Sequence, residues 1–358
     1  MTLLLTNDDV ERALTPQDAI AATECIYREL AEGTAINRPR SQTYMPVESK
    51  EHPGFRYRFK SQEGSSAGSG VWALRITSDM AGFSFTAGFK RRRILPVATG
   101  SRYCGLVILF DIENIEPVAI MPDGVMQKQR VAALSAVGAK YLAQTRPKVL
   151  GLIGSGWQAS AHLEYLCAVF AFEQVKVYSP NQEHCREFCR DMSERLDRAV
   201  EAVDSSRKAV EGSDFVQAAT AAWDPVFDGH LVEKGMYVCS IGGADASNKR
   251  REIDDETLRR ADLYVVHSKE VARLDQAPDV WDAAQNGIVQ WESIHEIQDL
   301  VAGKIAGRTR EDQVTVFNNN TGAGTQFAAL GAAVLRKASS LGLGKEIPTD
   351  WFLENVSP

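Results

Sequence analysis

Residues 148–166 of this sequence have the pattern of a strand, a glycine turn and a helix, and this pattern limits the folds that the chain can adopt. Residues 148–153 form an apolar run with the length of a buried parallel strand. Apolar residues recur at helical spacing from Ala161 onwards. Between them lies the turn Gly154-Ser155-Gly156-Trp157-Gln158-Ala159. In this context the pattern G-x-G-x-x-A predicts a dinucleotide-binding unit.

Three small residues define that turn. Gly154 lets the chain turn sharply, and Gly156 lacks the Cβ atom that would block a close pyrophosphate group. Ala159 is small enough for the helix to pack on the strand. The free N–H groups at the helix start then face the phosphates, so we predict that residues 154–159 bind the cofactor.

Length and charge limit the classes of protein to which the chain can belong. Its 358 residues give room for two domains. A net charge of −7 argues against a nucleic-acid partner, which needs clustered cations. Nothing around the basic run at residues 90–93 supports nucleic-acid binding, and we interpret this run as a solvated loop.

The sequence carries no sign of a membrane partner. It has no apolar run of about 18 residues, the length of a membrane-spanning helix. Acidic residues at positions 8, 9 and 11 stand where a signal peptide would be basic and then apolar. We therefore expect a cytoplasmic protein.

The cysteines predict neither a disulfide framework nor a metal site. The six cysteines lack paired C-x-x-C spacing. His184, Cys185 and Cys189 lie close together in sequence, but charged residues surround them. This pattern is typical of an ordinary helix surface.

The chain falls into two regions of different pattern. Residues 57–60, 71–76 and 104–111 alternate between polar and apolar, which predicts an antiparallel sheet with one wet face. The Gly- and Ser-rich segment 64–70 is interpreted as a flexible turn. From residue 148 strands and helices alternate, which predicts a parallel sheet. An alanine-rich helix at 325–341 is compatible with a return to the first domain.

The end of the second parallel strand bears on the choice of cofactor. An NAD-selective site usually has Asp or Glu there for the ribose 2′-hydroxyl, but this chain has Ser179-Pro180-Asn181. Ser179, Asn181 and the nearby Arg186 are suited to a 2′-phosphate. The pattern therefore favours NADP over NAD.

Two further strand ends carry candidate residues. The fourth ends at Thr220, small and polar as a nicotinamide-side loop should be, and the fifth ends in Gly242-Gly243-Ala244-Asp245. Asp245 is either a turn residue or a catalytic acid. Because Asp254 is the better cap for the next helix, we favour catalysis.

Several motifs, in this order, resemble the ornithine cyclodeaminase/μ-crystallin family. The resemblance runs from about Arg38 to Gly331, and it rests on residues 129–133 with 140–143, 149–156 with 162–164, and 243–245 followed by Lys249 and Arg250. It implies an α/β fold in which a Rossmann domain, residues 125–321, is inserted in a mostly β substrate and dimerisation domain. That second domain is 1–124, completed by 322–358. The resemblance also implies a homodimer and NAD(P) chemistry at the α-carbon of an amino or imino acid.

The resemblance assigns roles to individual residues. Arg40 and Arg130 look like the family's clamps for the substrate carboxylate, and Asp245 looks like its acid. Two guanidinium groups are apt for this purpose, because each makes bidentate, charge-assisted contacts. The alternative for Arg130 is a structural ion pair.

One position departs from the family pattern. Arg75 stands where the family has a lysine, and arginine cannot act as a base. Arg75 is still suited to clamping a carboxylate or polarising an oxygen, which weakens the case for ornithine cyclodeamination. It is also compatible with a substrate that carries a second carboxylate, met by Arg75 and Lys60. Lys60 is either an outward strand lysine or a replacement for the missing proton carrier.

These residues leave three functions open. The favoured one is an NAD(P)-dependent oxidoreductase that interconverts an amino acid and its imine or reduces a ketimine. The second is a cyclodeaminase that releases ammonia with catalytic NAD. The third is an NADPH-binding protein without turnover, which the arginine set and Asp245 disfavour.

Overall fold

The computed structural model describes residues 1–86, 88–244, 249–319 and 322–356. The chain divides into two compact units. The first comprises Met1–Gly82, Arg93–Arg130 and Gly322–Pro358, and the second comprises Phe83–Arg92 and Val131–Thr321. The segment Phe83–Arg92 thus lies in the second unit, although the sequence analysis placed it in the N-terminal domain.

The structure contains both sheet types that the sequence predicts. In chain order the strands are β1 (Thr2–Leu4), β2 (Ala35–Asn37), β3 (Ser41–Tyr44), β4 (Phe55–Ser66), β5 (Val71–Thr86), β6 (Phe89–Leu95), β7 (Cys104–Asp111), β8 (Pro117–Pro122), β9 (Val149–Ile153), β10 (Gln174–Tyr178), β11 (Glu201–Ala202), β12 (Phe215–Ala218), β13 (Tyr237–Ser240), β14 (Leu263–Val266), β15 (Ile294–Glu296), β16 (Thr315–Asn318) and β17 (Lys345–Ile347).

Helices flank these strands. In chain order they are α1 (Asn7–Ala13), α2 (Pro16–Glu32), α3 (Gly124–Leu142), α4 (Trp157–Cys167), α5 (Gln182–Leu196), α6 (Ser206–Val210), α7 (Asp255–Arg259), α8 (Lys269–Leu274), α9 (Ala283–Gln285), α10 (Ile297–Val301) and α11 (Gly324–Leu341). None of the helices in the described ranges is long and apolar enough to cross a membrane.

The first unit is built on a mostly antiparallel sheet with the order β17-β1-β8-β7-β5-β4-β2. β3 also pairs with β4, and β6 with β5. The interpretation of 64–70 as one turn is wrong in its first half, because β4 continues to Ser66. Gly64 lies in the strand against α11, where a Cβ atom would collide with the backbone nitrogen of Thr325.

The second unit is a parallel sheet with the order β11-β10-β9-β12-β13-β16-β14-β15. Every residue of β12, β13 and β16 is buried, as expected where helices cover both faces. The sheet and its crossovers give the Rossmann architecture that the glycine turn predicts. β15 escaped prediction because its three residues are too short for a recognisable pattern.

Two local predictions from the sequence are wrong. The basic run 90–93 is not a loop but part of β6. Cys185 and Cys189 do not lie on a helix surface, because both face the buried side of α5. Among the described residues no group of three or more His, Cys, Asp or Glu side chains is arranged to hold a metal ion.

Candidate active site

The glycine turn joins β9 to α4 with the geometry that a pyrophosphate group requires. Gly154 has a φ of +117°, and a Cβ atom there would collide with the carbonyl oxygen of Ala219. Gly156 is the N-cap residue of α4, and nothing lies within 4 Å of the position its Cβ would take. No side chain caps this helix end. Open space and unused N–H groups therefore coincide at Gly156, and these residues fit a dinucleotide.

A cavity of about 580 Å³ lies beside this turn within the second unit. Its walls include Gly154, Ser155 and Gly156, the segment 178–181 that ends β10, and the segment 219–226 that follows β12. The volume falls within the range of about 300–1,000 Å³ that is usual for cofactor and ligand sites. It lies at the carboxyl ends of the parallel strands, where open α/β sheets bind ligands.

Of the residues at and after the end of β10 that were expected near the cofactor, two line the cavity and Arg186 does not. Ser179 is buried and lines the cavity. Asn181 also lines it, but its side chain caps α5 by accepting a hydrogen bond from the backbone N–H of His184 at 3.1 Å. His184 Nδ1 lies 3.0 Å from Ser155 Oγ, which joins the end of β10 to the glycine turn. Arg186 is exposed on α5 and does not line the cavity.

The remaining residues of the turn, 157–159, do not line the cavity. Trp157 keeps 51% of its surface exposed. The carbonyl oxygen of Gln158 lies 2.7 Å from His162 Nδ1 within α4. Ala159 is fully buried, in keeping with its predicted role in helix packing.

A buried carboxylate that the sequence analysis missed joins the ends of β12 and β13. Thr220 donates to Glu252 Oε1 from its backbone nitrogen at 2.5 Å and from its hydroxyl at 2.6 Å. The backbone N–H of Ile241 donates to Glu252 Oε2 at 2.7 Å. Thr220, which lines the cavity, is therefore held by Glu252. The stretch 249–256 reads as a solvated charged face, which conceals the role of this residue.

The loop after β13 contains the predicted acid. The carbonyl oxygen of Gly243 accepts a hydrogen bond from Arg250 Nε at 2.6 Å, and Gly243 is not part of the cavity wall. Asp245 lies outside the described residues. As predicted, Asp254 caps the next helix, accepting from the backbone N–H of Thr257 at 2.8 Å.

In the first unit, strand register places a row of polar side chains on one face of the sheet. Three pairs stand directly opposite each other on β4 and β5: Arg58 with Asp79, Lys60 with Thr77, and Gln62 with Arg75. Alternation along each strand puts all six side chains on the same face. β3 adds Gln42 beside Lys60 and Tyr44 beside Arg58.

The Arg75 side chain forms hydrogen bonds with two other side chains of the protein. Its Nε and Nη2 donate to Asp123 Oδ2 at 2.8 and 2.5 Å, and its Nη1 donates to Gln62 Oε1 at 2.6 Å. Only 4% of Arg75 is exposed. The geometry therefore makes Arg75 a buried structural cation and gives no support to the prediction that it clamps a substrate carboxylate directly.

Arg130 lies buried on α3. Its Nη1 donates to Gln326 Oε1 at 3.0 Å and its Nε to Gln127 Oε1 at 3.2 Å. Burial, followed by the positive charge of Arg75, lowers the pKa of Arg130 to about 9. Both of these hydrogen bonds go to neutral amides, and the buried guanidinium is suited to contact with a bound anion.

Lys60 lies half-buried in the same cluster. Burial lowers its pKa well below the usual value, and the positive charges of Arg75, Arg58 and Arg40 lower it further. This is not the environment of an outward, solvated strand lysine. Among the described residues, this cluster contains the cations Arg40, Arg58, Lys60, Arg75 and Arg130 and the carboxylates Asp79 and Asp123.

Residues 2–338 match the model of the ornithine cyclodeaminase/mu-crystallin family. The chain belongs to that family. The matched range covers the glycine turn, the cationic cluster and every strand of the two sheets except β17.

Relatives in the ornithine cyclodeaminase/mu-crystallin family carry several activities. Iminosuccinate reductase of Paracoccus denitrificans is 28% identical over 96% of this chain and 99% of its own. Alanine dehydrogenase of Archaeoglobus fulgidus is 28% identical over 97% and 98%. The match to Δ1-pyrroline-2-carboxylate reductase of Bacillus cereus, at 31% identity, spans 60% of this chain and 65% of that protein.

A solved structure of a family member has the same fold. Thermococcus litoralis Δ1-pyrroline-2-carboxylate reductase, in complex with NADH and L-proline, superposes with a TM-score of 0.82 at 27% identity. The superposition covers 97% of this chain and 100% of that one. An archaeal alanine dehydrogenase dimer with bound NAD gives a TM-score of 0.80 at 26% identity, over 97% of this chain and 99% of that one.

Proposed function

We propose that this protein is an NAD(P)-dependent oxidoreductase that interconverts an imino acid and the corresponding amino acid. The observation that carries the proposal is the cationic cluster around Lys60. Its concentration of basic side chains suits an anionic substrate, and its depressed lysine pKa suits a group that transfers a proton. The dinucleotide-binding geometry at Gly156 and the names of the reductase relatives support the redox assignment.

The charge of the cluster indicates the substrate class. Asp79 pairs with Arg58 and Asp123 pairs with Arg75, and Arg40, Lys60 and Arg130 lie in the same cluster. This concentration of basic side chains attracts a substrate carboxylate, and a second carboxylate strengthens the attraction. We therefore propose an imino acid with a second carboxylate. Arg40 and Arg130 bind the α-carboxylate, and Lys60 lies beside both the second carboxylate and the reacting nitrogen.

In the proposed reaction a side chain of this protein supplies the proton. Bound NAD(P)H supplies the hydride that adds to the α-carbon. As the C=N double bond becomes single, the Lys60 ammonium gives its proton to the imine nitrogen and becomes a neutral amine. Burial and the neighbouring guanidinium groups stabilise that neutral amine, so the transfer is easier than from a solvated lysine. Asp245, which the sequence analysis favoured as the acid, is the alternative proton donor.

The test is the loss of NADPH or NADH absorbance with imines formed from 2-oxo acids and ammonia or amines. We expect turnover with a dicarboxylate, such as oxaloacetate with ammonia, to exceed turnover with pyruvate and ammonia. Cofactor consumption with none of the imines would overturn the proposal. Ammonia release from ornithine without net cofactor change would identify a cyclodeaminase instead, and cofactor binding without either reaction would identify a binding protein.

A cyclodeaminase is the second candidate because an uncharacterised cyclodeaminase of Sinorhizobium fredii is 27% identical over 91% of this chain and 92% of its own. Arg75, at the family's lysine position, argues against it, because arginine stays charged and cannot act as a base.

The proposal also covers the choice of cofactor, the compartment and the assembly. We propose a preference for NADP, because the β10 end of the cavity offers Ser179 and no carboxylate among its described residues. We also propose a cytoplasmic homodimer, an assembly supported by the archaeal alanine dehydrogenase dimer. Size-exclusion chromatography with light scattering tests the assembly.

A further inference from the structure

Within the second unit, an aromatic clip holds the tip of the β5–β6 hairpin, here Phe83 and Phe89–Arg91, on the segment that follows β12. Phe83 and Trp223 meet edge to face, with ring centroids 5.1 Å apart. Lys90 Nζ lies 3.8 Å from the centroid of Trp223 and 4.6 Å from that of Phe83. The backbone of Arg91 forms an antiparallel bridge with Ala222. These contacts fix the tip on the segment that follows β12.

The same tip forms part of the wall of the dinucleotide cavity. Phe89, Lys90 and Arg91 line it together with the glycine turn and the end of β10. Among the described residues of that wall, Lys90 and Arg91 are the only lysine or arginine side chains, and Asp224 is the only carboxylate. The cavity thus receives its fixed positive charge from the hairpin and not from the Rossmann strands.

The two cations differ in their surroundings. Lys90 is engaged by the faces of two aromatic rings, a cation–π arrangement that anchors the tip. Arg91 is held by its backbone, and within the described ranges no carboxylate lies within ion-pair distance of its guanidinium. A guanidinium fixed at the edge of a cavity is suited to bidentate contact with a phosphate.

We propose that the hairpin tip is a phosphate-binding element of the cofactor site, in which Arg91 contacts a phosphate group of the bound dinucleotide and the Lys90–Trp223 clip positions it. This inference rests on the proposed function in one respect, that the second unit binds NAD(P). The phosphate belongs either to the pyrophosphate bridge or to the 2′-position of NADP. It also gives the basic run at 90–93 a role within the fold.

The test is titration calorimetry of NADPH and NADH with the full chain and with Arg91→Ala. Loss of a charged hydrogen bond should weaken binding by about ten- to a hundredfold. If Arg91 contacts the pyrophosphate, both affinities fall by a similar factor; if it contacts the 2′-phosphate, only the NADPH affinity falls. Arg93→Ala is the matched control, because Arg93 is exposed in the same basic run and does not line the cavity.

A second variant tests the clip. Lys90→Ala removes the cation that holds the tip, so it should weaken the same cofactor as Arg91→Ala, and the two changes should be less than additive in the double variant. Unchanged Kd values in Arg91→Ala, or an equal loss in Arg93→Ala, would overturn the inference. Failure of the wild type to bind either cofactor would instead overturn the proposed function, and a circular-dichroism melt of each variant checks that it is folded.

Discussion

Asp123 holds Arg75 in a buried ion pair, with Asp123 Oδ2 accepting from both Nε and Nη2 of the guanidinium. The pair replaces the lysine that the family usually has at this position with a cation that cannot lose its proton. In the proposed reaction another group must therefore transfer the proton, and Lys60 lies close enough for the charge of Arg75 to lower its pKa.

Arg75→Met should destabilise the protein by about 3–5 kcal/mol, because it leaves the Asp123 carboxylate buried without its partner. Arg75→Lys should cost less, since it keeps the charge while losing the fork to Asp123 and Gln62. Urea unfolding measures both. A free energy of unfolding for Arg75→Met close to that of the wild type would show that the pair is not structural.

Lys60→Met should change the pH dependence of stability. Because the folded-state pKa of Lys60 lies below its unfolded value, the unfolded chain binds more protons between the two, and wild-type stability rises with pH across that window. The variant should be more stable than the wild type on the low-pH side, and the difference should shrink as pH rises. Unfolding at a series of pH values measures this. Lys50→Met, at a lysine that is exposed to solvent, is the matched control for the loss of a lysine side chain.

Lys60 and Asp245 give different kinetic signatures. If Lys60 donates the proton, Lys60→Met should lower kcat by roughly 10²–10⁴-fold and abolish the loss of kcat/KM as pH rises through the pKa of Lys60. Asp245→Asn should then keep that limb of the pH profile. The reverse pattern, with the limb lost in Asp245→Asn and kept in Lys60→Met, would assign the proton to Asp245.

Gly156→Val should abolish dinucleotide binding and leave the fold intact, because its side chain enters open space that the pyrophosphate needs. Gly154→Val is the informative contrast. At a φ of +117° and against the carbonyl of Ala219, it should lose stability as well. Calorimetric titration with NADPH and thermal unfolding separate the two effects, and undiminished affinity in folded Gly156→Val would refute the pyrophosphate assignment.

Ser179→Asp should shift the cofactor preference towards NAD, because a carboxylate accepts from the ribose 2′-hydroxyl and repels a 2′-phosphate. The ratio of NADPH to NADH dissociation constants measures the shift. A wild type that binds NADH more tightly than NADPH would contradict the proposed preference.

Local sequence was sufficient for features that depend on a few neighbouring residues. The glycine turn and the cap at Asp254 are of this kind, because each is specified within one turn of the chain.

The cationic cluster depends on pairing between residues that are distant in sequence. Lys60 and Arg75 share a face only because β4 and β5 pair with Gln62 opposite Arg75, and a shift of one residue would place them on opposite faces. The role of the basic run was equally hidden, since it depends on Trp223, more than a hundred residues further along the chain.

The position of α11 in the first unit affects the order in which the two units fold during synthesis. Gly324 lies against the backbone of Glu63 on β4, and Gln326 accepts a hydrogen bond from Arg130. The unit that begins at the N-terminus is therefore completed only after residues beyond 321 have left the ribosome. The parallel sheet, formed within 149–318, is translated in full before that point. We therefore expect the second unit to fold before the first during synthesis. The N-terminal strands complete their packing only after α11 has been made.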